Sequence, residues 1–92
     1  MDARKIIGWN LRKFRVARGL SQERLALEAG IDRSYVGRVE RGSENVTITT
    51  LELIAAVLQV SIASLLQEPE SGSPRPQSLA SGRKRRDARR GE

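Results

Sequence analysis

Two short helical stretches that meet at Gly30, with only Ile31 and Asp32 between them, constrain this chain more than any other feature of its sequence. The first covers about 22–29, opens after Ser21 and repeats its apolar groups as Leu25, Ala26 and Ala29. The second covers 33–41, opens after Asp32 and carries Val36 and Val39. Ser and Asp at those places are helix caps, because their oxygens accept backbone N–H groups that the first turn leaves unpaired. Helices joined so tightly must cross steeply. That requires a turn residue tolerant of a left-handed backbone, which Gly30 supplies, and a small side chain at the crossing, which Ala26 supplies. It also requires apolar clamps onto a larger body, here Leu25, Ile31, Val36 and Val39. Such a unit presents its second helix outward as a ridge of a size that fits a DNA major groove.

The flanking sequence supplies that body. Ile7, Leu11 and Phe14 recur at helical spacing within about 3–17, and Gly19 stops the run. After the polar loop 43–47, a fourth helix is expected to begin at a cap on Thr49 or Thr50 and to bury Leu51, Ile54 and Leu58. Ser61 is the expected cap of a short fifth helix with Ile62, Leu65 and Leu66. From 69 onward Pro69, Pro74 and Pro76, with Ser and Gly, leave too few apolar groups for a core. The expectation is an all-α chain: a compact five-helix DNA-binding domain over 1–68, followed by a disordered basic tail over 69–92.

Charge and composition narrow the function. The chain has 92 residues, a formal net charge of +6, no Cys and no His. Disulfides and thiolate metal sites are excluded, and the commonest metal ligand and general base is missing. An enzyme would have to work with carboxylates and amines alone, so the expectation is a non-enzymatic protein with no metal and no cofactor. Arg4, Lys5, Arg12, Lys13, Arg15 and Arg18 face Asp2 alone in the first 18 residues, whereas 44–70 holds Glu44, Glu52, Glu68 and Glu70 without Lys or Arg. Such two-sidedness suits a polyanionic partner on one face. The tail ends in Arg83-Lys84-Arg85-Arg86 and Arg89-Arg90. No stretch reaches the roughly 20 apolar residues of a membrane span, and no signal-peptide run opens the chain, so a cytoplasmic location is expected.

The run Leu-Ser-Gln-Glu-Arg-Leu-Ala-Leu-Glu-Ala-Gly-Ile-Asp-Arg-Ser-Tyr-Val-Gly-Arg-Val-Glu-Arg-Gly at 20–42 resembles the helix-turn-helix family of lambdoid phage repressors, Cro proteins and related XRE-like regulators. Ala26, Gly30, Ile31, Val36, Val39 and the ending Glu40-Arg41-Gly42 fall in its register. Tyr35 and the loop Glu44-Asn45-Val46-Thr47 are also similar to restriction–modification controller proteins. Gln59 stands where the family commonly has glycine.

The resemblance implies a transcription regulator that binds double-stranded DNA as a homodimer on a palindromic operator. Arg33, Ser34 and Arg38 match base-reading positions. An arginine there can donate two hydrogen bonds to guanine O6 and N7. Gln22 matches a phosphate-binding position, and Tyr35, Arg41, Arg12, Ser43 and Asn45 are further backbone contacts. The family also sets an arginine of the first helix against the glutamate that ends the third, which implies an Arg15–Glu40 ion pair. Ile62 and Leu65 are the dimer-interface candidates, with plain core packing as the alternative. The rival functions are an antitoxin-type or adaptor protein whose helical domain or tail binds a protein partner.

Overall fold

The computed structural model describes residues 2–69 as five helices, with no strand among them. They are α1 (Ala3–Ala17), α2 (Gln22–Ala29), α3 (Arg33–Glu40), α4 (Ile48–Leu58) and α5 (Ile62–Leu65). Apart from Pro69, the tail expected to be disordered lies outside the described residues. No described helix is long and apolar enough to cross a membrane.

Each helix starts on a side-chain cap. The oxygens of Asp2, Ser21, Asp32, Thr47 and Ser61 accept from Lys5, Arg24, Ser34, Thr50 and Ser64 N–H respectively. The start of α4 corrects the expectation of a cap at Thr49 or Thr50. Thr47 Oγ1 accepts the Thr50 N–H at 3.1 Å and donates its own proton to the Thr50 hydroxyl at 3.0 Å. Thr50 therefore serves inside the first turn instead of preceding it.

The turn between α2 and α3 closes on two backbone bonds. Gly30 N–H donates to Leu27 O at 3.3 Å, and Ile31 N–H to Ala26 O at 2.9 Å. Gly30 has φ +72°, the left-handed region where a side chain would be strained. The turn after α4 has the same form, with Gln59 donating to Ala56 O and Val60 to Ala55 O. There a non-glycine residue takes the left-handed position, at φ +58°.

Leu11, Leu25, Val36, Val39, Ile54, Leu58 and Leu65 are fully buried and form one core, to which every helix contributes. Phe14, Ile31 and Tyr35 pack at its margin. Two features fix α1 in this frame. The first is a close helix crossing: a Cβ on Gly8 would lie 2.5 Å from Val39 O and 2.8 Å from Glu40 O. The second is buried Asn10, whose amide donates to Leu65 O at 2.9 Å and Gln67 O at 2.8 Å, tying α1 to the end of α5.

Candidate nucleic-acid interface

The outward position of α3 follows from what its other side buries. Val36 and Val39 enter the core, and its last turn presses on α1 at Gly8. Arg33 and Ser34, at its open end, are exposed, and Arg38 is half-buried. These three line one open groove of about 300 Å³ with Gln22, Gly37 and Arg41. Cations and hydrogen-bond donors from α2 and α3 thus converge on one concave surface.

Beneath the groove, α3 is held by a buried ion pair. Arg15 Nε donates to Glu40 Oε2 at 2.5 Å and Arg15 Nη2 to Glu40 Oε1 at 3.1 Å, with both side chains almost wholly buried. Arg15 Nη1 donates to Leu20 O at 2.7 Å. Gln22 Nε2 donates to Glu40 Oε1 at 3.0 Å. The carboxylate is therefore met by donors from α1 and α2, which compensate its removal from water. Arg15 contributes nothing to the positive outer face of α1, because its charge is turned inward and neutralised.

Gln22 consequently has two aspects. It borders the groove, as a phosphate-binding residue must, but one amide N–H is committed to Glu40. Its carbonyl oxygen accepts and cannot bind a phosphate, so a single side-chain N–H remains for that contact.

The readers are ordered among themselves. Ser34 Oγ donates to Asp32 Oδ2 at 2.9 Å, and Arg38 Nη1 lies 3.5 Å from the same hydroxyl. Arg38 Nε donates to Glu44 Oε2 at 2.6 Å, and the Tyr35 ring centre lies 5.6 Å from the guanidinium carbon. The hydrogen bond to Glu44 pushes the Arg38 pKa above its ordinary value, partly opposed by desolvation. Sequence reasoning placed Glu44 in a polar loop and missed this partnership. The signal available to it was a carboxylate six residues after an arginine, just past a glycine that turns the chain back.

The remaining candidates separate. Arg41 and Asn45 are exposed. Ser43 is exposed too, but its hydroxyl donates to Arg38 O at 3.1 Å and so finishes α3. Arg12 is half-buried, and its Nε is enclosed with no hydrogen-bond partner among the described residues. Leu65 requires a correction as an interface candidate. It is fully buried in the chain's own core and has no surface to offer a second copy. Ile62 packs at the core margin, half-buried, while Leu66 nearby is exposed. Among the described residues no group of three or more Asp and Glu is arranged to hold a metal ion.

Comparison with known proteins gives one answer. The helix-turn-helix family matches residues 11–65. Over 66 residues the chain is 44% identical to the control protein C.SmaI of Serratia marcescens, covering 72% of this chain and 79% of that protein. Over 69 residues it is 44% identical to a protein of Neisseria meningitidis serogroup B described as a hypothetical transcription factor, covering 75% of this chain. The match spans 65% of that relative's length. Among solved structures, the biofilm master regulator SinR in complex with DNA is similar with a TM-score of 0.64 at 39% identity, covering 66% of this chain and 98% of that one.

Proposed function

Because the chain belongs to the helix-turn-helix family, we propose that it is a DNA-binding transcription regulator that reads the major groove of double-stranded DNA with α3. The observation that carries this reading is the groove bordered by Arg33, Ser34 and Arg38 of α3 together with Gln22 and Arg41. The relatives support it, since they are described as a control protein and a transcription factor, and one similar structure contains DNA. Arg33 and Arg38 are the base readers, with Ser34 between them. Gln22, Tyr35, Arg41, Arg12, Ser43 and Asn45 supply backbone contacts that set register without reading sequence.

One helix of this length spans only a few base pairs, so two copies related by a two-fold axis are required for a selective site. Ile62, with exposed Leu66 nearby, gives this homodimer an apolar contact within a stretch, 44–70, that carries no Lys or Arg. The protein acts without catalysis or cofactor, in the cytoplasm, as a domain over 1–68 with 69–92 as an appended tail.

Selection of bound sites from random duplexes tests the reading. The expected product is a palindrome with half-sites about one helical turn apart. Arg38→Ala should relax preference at one symmetric position and weaken that site by about fivefold or more. Equal weakening on every duplex would move Arg38 to the phosphate class.

A further inference from the structure

The face that carries the readers also carries a carboxylate, which is an unfavourable placement for a surface that must approach phosphates. Glu44 has about a quarter of its side chain exposed, and it commits one oxygen to Arg38 Nε. A partly exposed pair of this kind adds little to folding stability. It does restrict Arg38, a side chain that otherwise samples many rotamers. The guanidinium is held at Nε by Glu44, flanked by the Tyr35 ring and set near Ser34 Oγ at Nη1. The Nη1–Nη2 edge, which can donate two parallel hydrogen bonds, is left without a carboxylate partner among the described residues.

We propose that Glu44 is a specificity-determining positioning residue: it holds Arg38 by Nε so that the Nη edge is presented to guanine, and it offsets the charge of Arg38 so that phosphate attraction alone does not recruit that side chain. The proposal rests on the reading of α3 as the DNA-contacting helix. A free arginine at this position would strengthen binding to any duplex through counterion release. The Glu44–Arg38 pair, with no net charge, adds no such general attraction. Its contribution appears where a base supplies two acceptors to a guanidinium already oriented, since the rotamer entropy has been given up before binding.

The test measures Kd against salt for the selected duplex and a scrambled one, using the full chain and its Glu44→Gln, Arg33→Ala, Arg38→Ala and Glu44→Gln/Arg38→Ala variants. Helical content by circular dichroism checks that each is folded. Glu44→Gln should tighten binding to the scrambled duplex and lower the selected-to-scrambled ratio by about three- to tenfold, a fraction of what a bidentate base contact discriminates. The slope of log K against log salt should steepen by about 0.9, as one more cation meets phosphate. In the Arg38→Ala background the same change should leave the ratio where it was. Equal tightening on both duplexes, in both backgrounds, would reduce Glu44 to a general repulsive charge and overturn the proposal. If Arg33→Ala and Arg38→Ala relax the preference but Glu44→Gln does not alter the ratio, the role of Glu44 alone falls. If the unaltered chain selects no sequence, the DNA-reading role of α3 falls with it.

Discussion

Glu40 shows how one side chain can be costly in isolation and stabilising in place. Its carboxylate is out of water, but two arginine donors and the Gln22 amide meet it. Arg15→Ala would strip away the cation and leave the carboxylate buried, so a loss of about 3–5 kcal/mol is expected in urea denaturation. Replacing both members with Met should recover much of that loss, since no uncompensated charge remains. Gly8 makes the opposite point, because its value is the absence of a side chain. Alanine is the better helix former by about 1 kcal/mol, yet its methyl would meet two carbonyl oxygens at 2.5 and 2.8 Å. Overpacking of this sort costs about 1–3 kcal/mol, so Gly8→Ala should lower the denaturation midpoint. Residues 7–14 announced their apolar face through periodicity, whereas nothing local to Gly8 reveals that another helix passes over it. The pairing of Glu40 with Arg15 was legible only through resemblance to a known register.

At the scale of elements, helix ends were more legible than helix packing. Ser21, Asp32 and Ser61 stand immediately before apolar repeats and cap as their chemistry dictates. Thr47, placed in the polar loop by the sequence, caps α4 in place of Thr49 or Thr50, and only the folded backbone distinguishes these chemically similar hydroxyls. After α4, Gln59 occupies a left-handed position that costs a side-chain-bearing residue about 1–2 kcal/mol. Part of that is offset because glycine raises the entropy of the unfolded chain. Gln59→Gly is accordingly expected to stabilise the domain by about 0.5–1 kcal/mol, a rise of a few degrees in Tm. Attachment of α5 depends on Asn10, which no pattern of spacing could have linked to residues more than fifty positions away. Asn10→Ala should cost about 1–3 kcal/mol by leaving carbonyls unsatisfied. It should also speed hydrogen exchange at the Leu66 amide, whose own bond to Ala63 O closes the helix.

For the whole molecule, the two-sided charge of the sequence becomes partly internal on folding. Arg15 is consumed by the core, while Arg33 and Arg41 remain exposed. Beyond the described residues, the stretch 71–92 adds Arg75, Arg83, Lys84, Arg85, Arg86, Arg89 and Arg90 against Asp87 and Glu92. Deleting it should weaken binding to all duplexes alike and flatten the salt slope, by about 0.9 for each phosphate that the tail no longer neutralises. Salt titrations of the full and shortened chains decide this, and equal slopes would make the tail a bystander. The crossing at Gly8 has a further consequence. Because α3 is fastened at its closing turn, which Arg38 shares with Val39 and Glu40, the readers at its open end carry little of the burden of stability. Arg33 and Ser34 can be exchanged for other letters while Val39, Glu40 and the turn behind them stay fixed, which makes this scaffold a ready starting point for retargeting to new operators.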